Sequence, residues 1–298
     1  MAGFGYLAGR LRIMPEAGIN GLNVFVFNFA LPALLFRLIA GTRFEELLDP
    51  AFLGAWFTAG LIVLVATALM AMVFLKVGLG TAALYGLGAE FSNSGYLGIP
   101  LVANLVGDKA AVPIAITMVV DLGIMLPMTL LVVEMTTGTR DRLRDSAATI
   151  ARGVLLNPII LSMALGAGVT WAGQGIPGPI DTMTALLGAA AGPCALFALG
   201  AVLAVRPISG GTSEIALMVV GKLVLHPLAA LVTLVFLFDV RPDWAIPAMF
   251  NAAIPPATNV FILAQRYGLA AEQVSTAIMI ATVLAMLTFT GYTSLLGF

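Results

Sequence analysis

Charge is scarce in this sequence: 14 Lys and Arg and 15 Asp and Glu make 10% of 298 residues, with a net charge of −1. A soluble domain carries about 25% charged residues, so an ordinary soluble fold is excluded. Cysteine occurs once, as Cys194 in an apolar run, which rules out an intrachain disulfide and leaves a small packing residue. Histidine also occurs once, and no HExxH, CxxC or GxxxxGK[ST] sequence is present. These absences argue against a zinc enzyme, a redox dithiol and an in-chain ATP motor, so no metal site or cofactor is expected. No Lys/Arg run suits nucleic acid.

Apolar residues are abundant, at 60% of the chain with a mean hydropathy of +1.06. The chain therefore reads as an all-α polytopic membrane protein. Runs of about twenty residues, the length that crosses the hydrocarbon core, fall near 17–40, 51–76, 80–105, 110–134, 152–173, 180–205, 213–238, 244–265 and 272–297. That predicts nine full spans. The opening MAGFGYLAGR lacks the apolar core and cleavage site of a signal peptide and is expected to be the cytoplasmic end of a truncated first span.

Alternating the loops between two sides puts Arg10, Arg12, Lys76, Arg140, Arg142, Arg144, Arg152, Arg206 and Arg266 together, against Arg43, Lys109 and Arg241 on the other. By the positive-inside rule the first side, with the polar segment 136–151, is cytoplasmic. In a bacterium this would be the inner membrane. Arg37, near the outer end of its span, is expected to snorkel to headgroups.

Sliding the chain on itself by 161 residues lays ALPALLFRLIA (30–40) on AGPCALFALGA (191–201) with six identities in eleven. The same offset superposes Gly107 on Gly268, Glu90 on Asn251 and Gly95 on Pro256. Five spans per half with alternating basic loops require halves of opposite orientation, an inverted 5+5 repeat. The expected division is 1–135 for the first repeat, 136–151 for a cytoplasmic linker and 152–298 for the second.

Two spans are interrupted at their middles by glycine and proline, FSNSGYLGIP (91–100) and NAAIPPATNV (251–260). Lipid cannot satisfy freed backbone groups, so such breaks must line a protein-enclosed cavity, and paired breaks point to a transporter binding site. Pro100, Pro255 and Pro256 remove N–H donors, while Gly95 and Gly98 allow unusual dihedrals and a close second backbone. Half-helix N-termini attract anions. Asn93 inside the first break and Asn259 just beyond the second can donate to a carboxylate or satisfy freed carbonyls.

Glu90, Asp121 and Lys222 fall near the expected midplane, where ionisable groups are functional candidates. They could pair as a structural ion network. Alternatively Glu90 or Asp121 takes a coupling proton or helps hold Na+, with Lys222 restraining the charge. His226, one turn from Lys222, is a packed neutral ring or a proton relay.

The segments FNFALPALLF, NSGYLGIPLV with Gly107, Asn157-Pro158 and IPPATNVFILAQRYG resemble the auxin efflux carrier family across nearly the whole chain. That family includes plant PIN-formed auxin carriers and bacterial malonate carriers, and shares its crossed-helix architecture with bile acid/sodium symporters. The resemblance implies ten helices, with the fourth and ninth broken and crossing at mid-membrane. Helices one, two, six and seven would form a scaffold and the rest a moving transport domain. It places Asn93 and Asn157 at the substrate pocket, with Tyr96 and Asn259 as further candidates.

The expected function is secondary active transport of a small malonate-like or auxin-like carboxylate by an elevator-like displacement, not enzymatic catalysis. A homodimer through the scaffold is compatible with it. Alternatives are a non-transporting sensor or truncated carrier, a sodium-coupled carrier of larger amphipathic acids, and an intramembrane serine protease using Ser94 and His226.

Overall fold

The computed structural model describes all residues except 138–139, 206–208 and 297–298, and the side chains at 104, 108, 137, 140–147, 205 and 293–296 are also outside the described set. The side chains of Arg140, Arg142 and Arg144, and Arg206 altogether, therefore lie outside it.

Among the described residues the regular secondary structure is helical, apart from one isolated bridge. In order the α-helices are α1 (Ala2–Arg10), α2 (Glu16–Phe25), α3 (Leu31–Ala40), α4 (Phe44–Leu47), α5 (Pro50–Met70), α6 (Leu79–Glu90), α7 (Ile99–Val106), α8 (Ala111–Val120) and α9 (Leu126–Thr137). They continue with α10 (Arg140–Leu155), α11 (Pro158–Trp171), α12 (Gly178–Val205), α13 (Thr212–Val220), α14 (His226–Leu231), α15 (Pro242–Ala252), α16 (Thr258–Tyr267) and α17 (Ala271–Leu296). Several join through short π-helical turns, including Val26–Ala30, Ala71–Leu75, Ser94–Gly98, Asp121–Met125 and Gly221–Leu225. Helices follow from the medium: in hydrocarbon a chain must satisfy its own N–H and C=O groups.

Among the described residues six helical stretches are long and apolar enough to cross a membrane: Glu16–Ala40, Phe44–Leu75, Ala111–Thr136, Gly178–Ala204, Thr212–Leu237 and Ala271–Tyr292. A seventh arises if Ala148–Leu155 and Pro158–Trp171, bent by 55°, count as one. The expected spans 80–105 and 244–265 are instead pairs of short helices, α6 with α7 and α15 with α16. The surface is apolar: Phe74 is 76% exposed and Phe236 75%, as lipid-facing rings would be.

Most of the polar segment 136–151 is the helix α10, whose bounds run past residue 152, because its Arg and Ala residues are strong helix formers. Two expectations change. Pro100 is not in the extended break; it lies inside the continuous helical stretch that begins at Ser94, just after the π-helical turn Ser94–Gly98, where its missing N–H removes one helix hydrogen bond. Gly98 is helical, with φ −57° and ψ −61°, and Gly95 has no positive φ either, so neither supplies unusual dihedrals.

Two compact units form, each drawing on both halves of the sequence. Unit 1 comprises Met1–Asp49, Gly95–Ile116 and Leu155–Arg206; unit 2 comprises Pro50–Ser94, Thr117–Val154 and Pro207–Phe298. Unit 1 thus holds α1, α2, α3, α4, α7, α11 and α12. Within it α1 lies so close on α12 that a Cβ at Gly5 would meet the Phe197 carbonyl oxygen at 2.0 Å, and one at Gly200 would meet the Ala2 carbonyl oxygen at 1.9 Å. Gly5 and Gly9 form a GxxxG pair, the small-residue pattern that lets membrane helices approach backbone to backbone. Another part of the core of unit 1 is Val26, Ala30, Leu31, Ala191 and Ala195, against which Cys194 packs as the expected small residue.

Candidate functional site

The centre of unit 2 is the meeting of its two interruptions. Helix α6 ends at Glu90 and α15 at Ala252, and the strands of backbone that follow pair antiparallel at Ser92 and Pro256. The Asn93 N–H donates to the Pro255 carbonyl at 3.0 Å, and the Ala257 N–H to the Phe91 carbonyl at 2.9 Å. Each break therefore satisfies part of the other, and Pro255 and Pro256 bring no N–H that needs a partner.

Side chains complete the ends. The Lys222 ammonium donates to the Glu90 carbonyl at 2.7 Å and to the Ser92 hydroxyl. Ser92 Oγ donates to the Asn251 carbonyl at 2.8 Å. The C-terminal end of α6 carries partial negative charge, so a cation placed there is stabilised. Lys222 also lies 2.8 Å from His226 Nδ1. With the ammonium as donor, Nδ1 accepts and the ring hydrogen sits on Nε2. His226 is fully buried, its ring 5.2 Å from that of Trp56.

The expected ion network takes a different form. Glu90, Asp121 and Lys222 are buried within electrostatic range of one another. Lys222, however, reaches the main chain, and the Glu90 carboxyl has no hydrogen-bond partner but the Asp121 carboxyl, which it faces at hydrogen-bonding range. That carboxylate lies over Gly60, where a Cβ would stand 3.0 Å from Oε1. Asp121 accepts from Trp56 Nε1 at 2.7 Å through Oδ1, while Oδ2 has no partner beyond the Glu90 carboxyl. Asp121 and Lys222 both belong to π-helical turns, a feature common at functional sites.

Further buried atoms without partners are Asn93 Nδ2, Asn251 Oδ1, His226 Nε2 and Thr67 Oγ1. Asn251 Nδ2 donates to Thr117 at 3.0 Å. Such a concentration of unsatisfied polar atoms calls for a ligand, an ion or water. Trp56, Ser92 and Asn251 escaped sequence reasoning as site residues, although the offset that laid Glu90 on Asn251 pointed to the last.

Other candidates sit elsewhere. Asn157 caps α11, its Oδ1 accepting from the Ile159 N–H at 2.9 Å, a structural task that the following proline suits. Tyr96 belongs to unit 1, packed on its core with its hydroxyl 3.4 Å from the Asn23 carbonyl. Asn259 is half-buried in the first turn of α16, which has no side-chain cap. Ser94 and His226 form no dyad: the serine hydroxyl turns to the Ser92 carbonyl and the imidazole Nδ1 to Lys222.

Trp56→Phe removes the indole N–H donated to Asp121 and leaves that carboxyl with only Glu90 as a hydrogen-bonding neighbour. Thermal unfolding in detergent is expected to show a loss of about 1–3 kcal/mol.

Comparison with known proteins places this arrangement. The membrane transport protein family matches residues 1–293. A Rhizobium meliloti (strain 1021) protein named "Putative malonate transporter" is 32% identical over 96% of this chain and 90% of its own. The "Uncharacterized transporter YfdV" of Escherichia coli (strain K12) is 26% identical over 88% of this chain and 84% of its own. These names describe transporters rather than enzymes and imply a small-molecule substrate and a membrane setting. With nearly its whole length matched and its apolar helices enclosing a buried polar centre, the chain belongs to the membrane transport protein family.

Proposed function

We propose that this chain is a secondary active transporter of a small organic carboxylate, of the size and charge of malonate, residing in a bacterial inner membrane. The observation that carries the reading is Asn93 Nδ2, a buried amide donor with no partner, held beside the pairing of the two breaks. Dehydrating a carboxylate costs several kcal/mol. An amide and the uncapped N-terminus of α16 offset that cost without a permanent cation, so the anion can leave again. Asn157, whose Oδ1 caps a helix, would offer its amide N–H groups; Tyr96 and Asn259 are secondary candidates.

In this reading the two broken spans count as crossings, making nine full spans arranged as inverted repeats. The Ser92–Pro256 pairing between segments related by the 161-residue offset supports that arrangement. Movement is elevator-like, with the implied scaffold helices α1, α2, α3, α11 and α12 gathered in unit 1. The resemblance would assign the whole first broken span to the moving part, whereas its second half, from Gly95, clusters with unit 1.

Coupling runs through Glu90 and Asp121, whose carboxyl oxygens would accept a proton or face Na+. Lys222 holds a cation near them throughout the cycle, and His226 serves it as an acceptor.

The test is flux in proteoliposomes against mono- and dicarboxylates, with pH and sodium gradients imposed separately. Asn93→Ala is expected to lower saturable uptake at least about ten-fold, the cost of one hydrogen bond to a charged group, with an unchanged melting profile. Unchanged uptake would sink the assignment.

A further inference from the structure

Unit 1 contains a cleft of about 890 Å³, lined by apolar side chains including Leu34, Leu38, Ile99 and Ile176, with Arg37 and Asp181 its only charged residues among those described. Arg37 does not simply reach for headgroups as expected. Its Nη1 donates to the Asp181 carbonyl at 2.6 Å and also to the Asp181 carboxylate. Both charges suit their positions, since Arg37 is in the last turn of α3 and Asp181 in the first turn of α12.

That geometry uses one guanidinium nitrogen. Nε and Nη2 carry three further N–H groups, and no protein acceptor takes them among the described residues. The Nε/Nη2 edge is the planar fork that binds carboxylate or phosphate through two parallel hydrogen bonds. Asp181 holds the fork in place, while its own negative charge keeps any bound anion weakly held.

We propose that this cleft is an oxyanion site: the Nε/Nη2 edge of Arg37 takes a carboxylate or phosphate group, and any apolar part of the acid lies against Leu34, Leu38, Ile99 and Ile176. The site rests on the transport reading only in that the acid is drawn from the substrate pool; a phospholipid headgroup offers the same chemistry.

The test is binding to the full chain in an Asn93→Ala background, so that the breaks contribute little. In phosphatidylcholine nanodiscs, malonate is titrated calorimetrically into that protein and into its Arg37→Gln, Arg37→Lys and Asp181→Asn derivatives. Arg37→Gln is expected to weaken malonate at least about ten-fold, and Arg37→Lys, which keeps the charge and guards against misfolding, about three- to ten-fold. Asp181→Asn tightens it by removing the competing charge. In phosphatidylglycerol nanodiscs, mass spectrometry counts retained lipid. Loss of lipid in both Arg37 variants, with no effect on malonate, assigns the same site to a headgroup. If Arg37→Gln and Arg37→Lys alter neither ligand, the proposal is overturned. Because the readout is binding rather than flux, a failure of the transport reading leaves this comparison intact.

Discussion

Lys222→Met is expected to abolish uptake and to lower the thermal midpoint more than any other single change in unit 2. The ammonium holds three buried groups at once: the Glu90 carbonyl, the Ser92 hydroxyl and His226 Nδ1. Methionine fills much of the volume but donates nothing, so the end of α6 and the start of the break lose their link. The buried carboxylates of Glu90 and Asp121 also lose the cation beside them. Removing one member of a buried charged group costs about 3–5 kcal/mol. The double variant Lys222→Met with Glu90→Gln should recover part of this stability, since one of the stranded charges is gone, while uptake stays lost. Melting curves in detergent and gradient-driven uptake measure the two effects separately. Wild-type uptake by Lys222→Met would remove Lys222 from the mechanism.

Gly200→Val is expected to detach α1 from α12. Its Cβ would meet the Ala2 carbonyl oxygen at 1.9 Å, which is backbone and cannot swing aside. Overpacking a core commonly costs about 1–3 kcal/mol, and a backbone clash of this depth belongs at or above the upper end. Gly5→Ala should behave alike, because it strikes the Phe197 carbonyl oxygen at 2.0 Å. Gly3→Ala is the control, with no heavy atom within 4 Å of its added Cβ. Limited proteolysis near the N-terminus, compared across the three variants, reads the detachment directly. Equal protection in all three would show that α1 is not held by this packing.

Local signals located much of the site but misjudged its bonding. The glycine and proline pattern located both interruptions, because those residues change what a helix can do wherever they stand. Pro100 was nevertheless placed in the break, and it lies inside the helical stretch that begins at Ser94 instead. The break sits at Phe91–Asn93 because those residues find partners at Pro255 and Ala257, far away in the sequence. Asn157 illustrates the opposite case. Its Asn-Pro pairing is a helix start that sequence rules could have read, and the structure uses it so. Arg37 was assigned by depth alone, and its partner Asp181 is 144 residues away.

Composition and periodicity alone determined that this is a helical membrane protein. Scarce charge and twenty-residue apolar runs admit no other solvent and no other secondary structure. Counting along those runs put Glu90, Asp121 and Lys222 near the expected midplane. Which atoms they bond was decided only by tertiary structure, since hydrogen bonds depend on the relative placement of helices distant in the chain. Lys222 therefore donates to a helix end and a serine rather than to a carboxylate, and Glu90 is left buried with Asp121 as its side-chain partner.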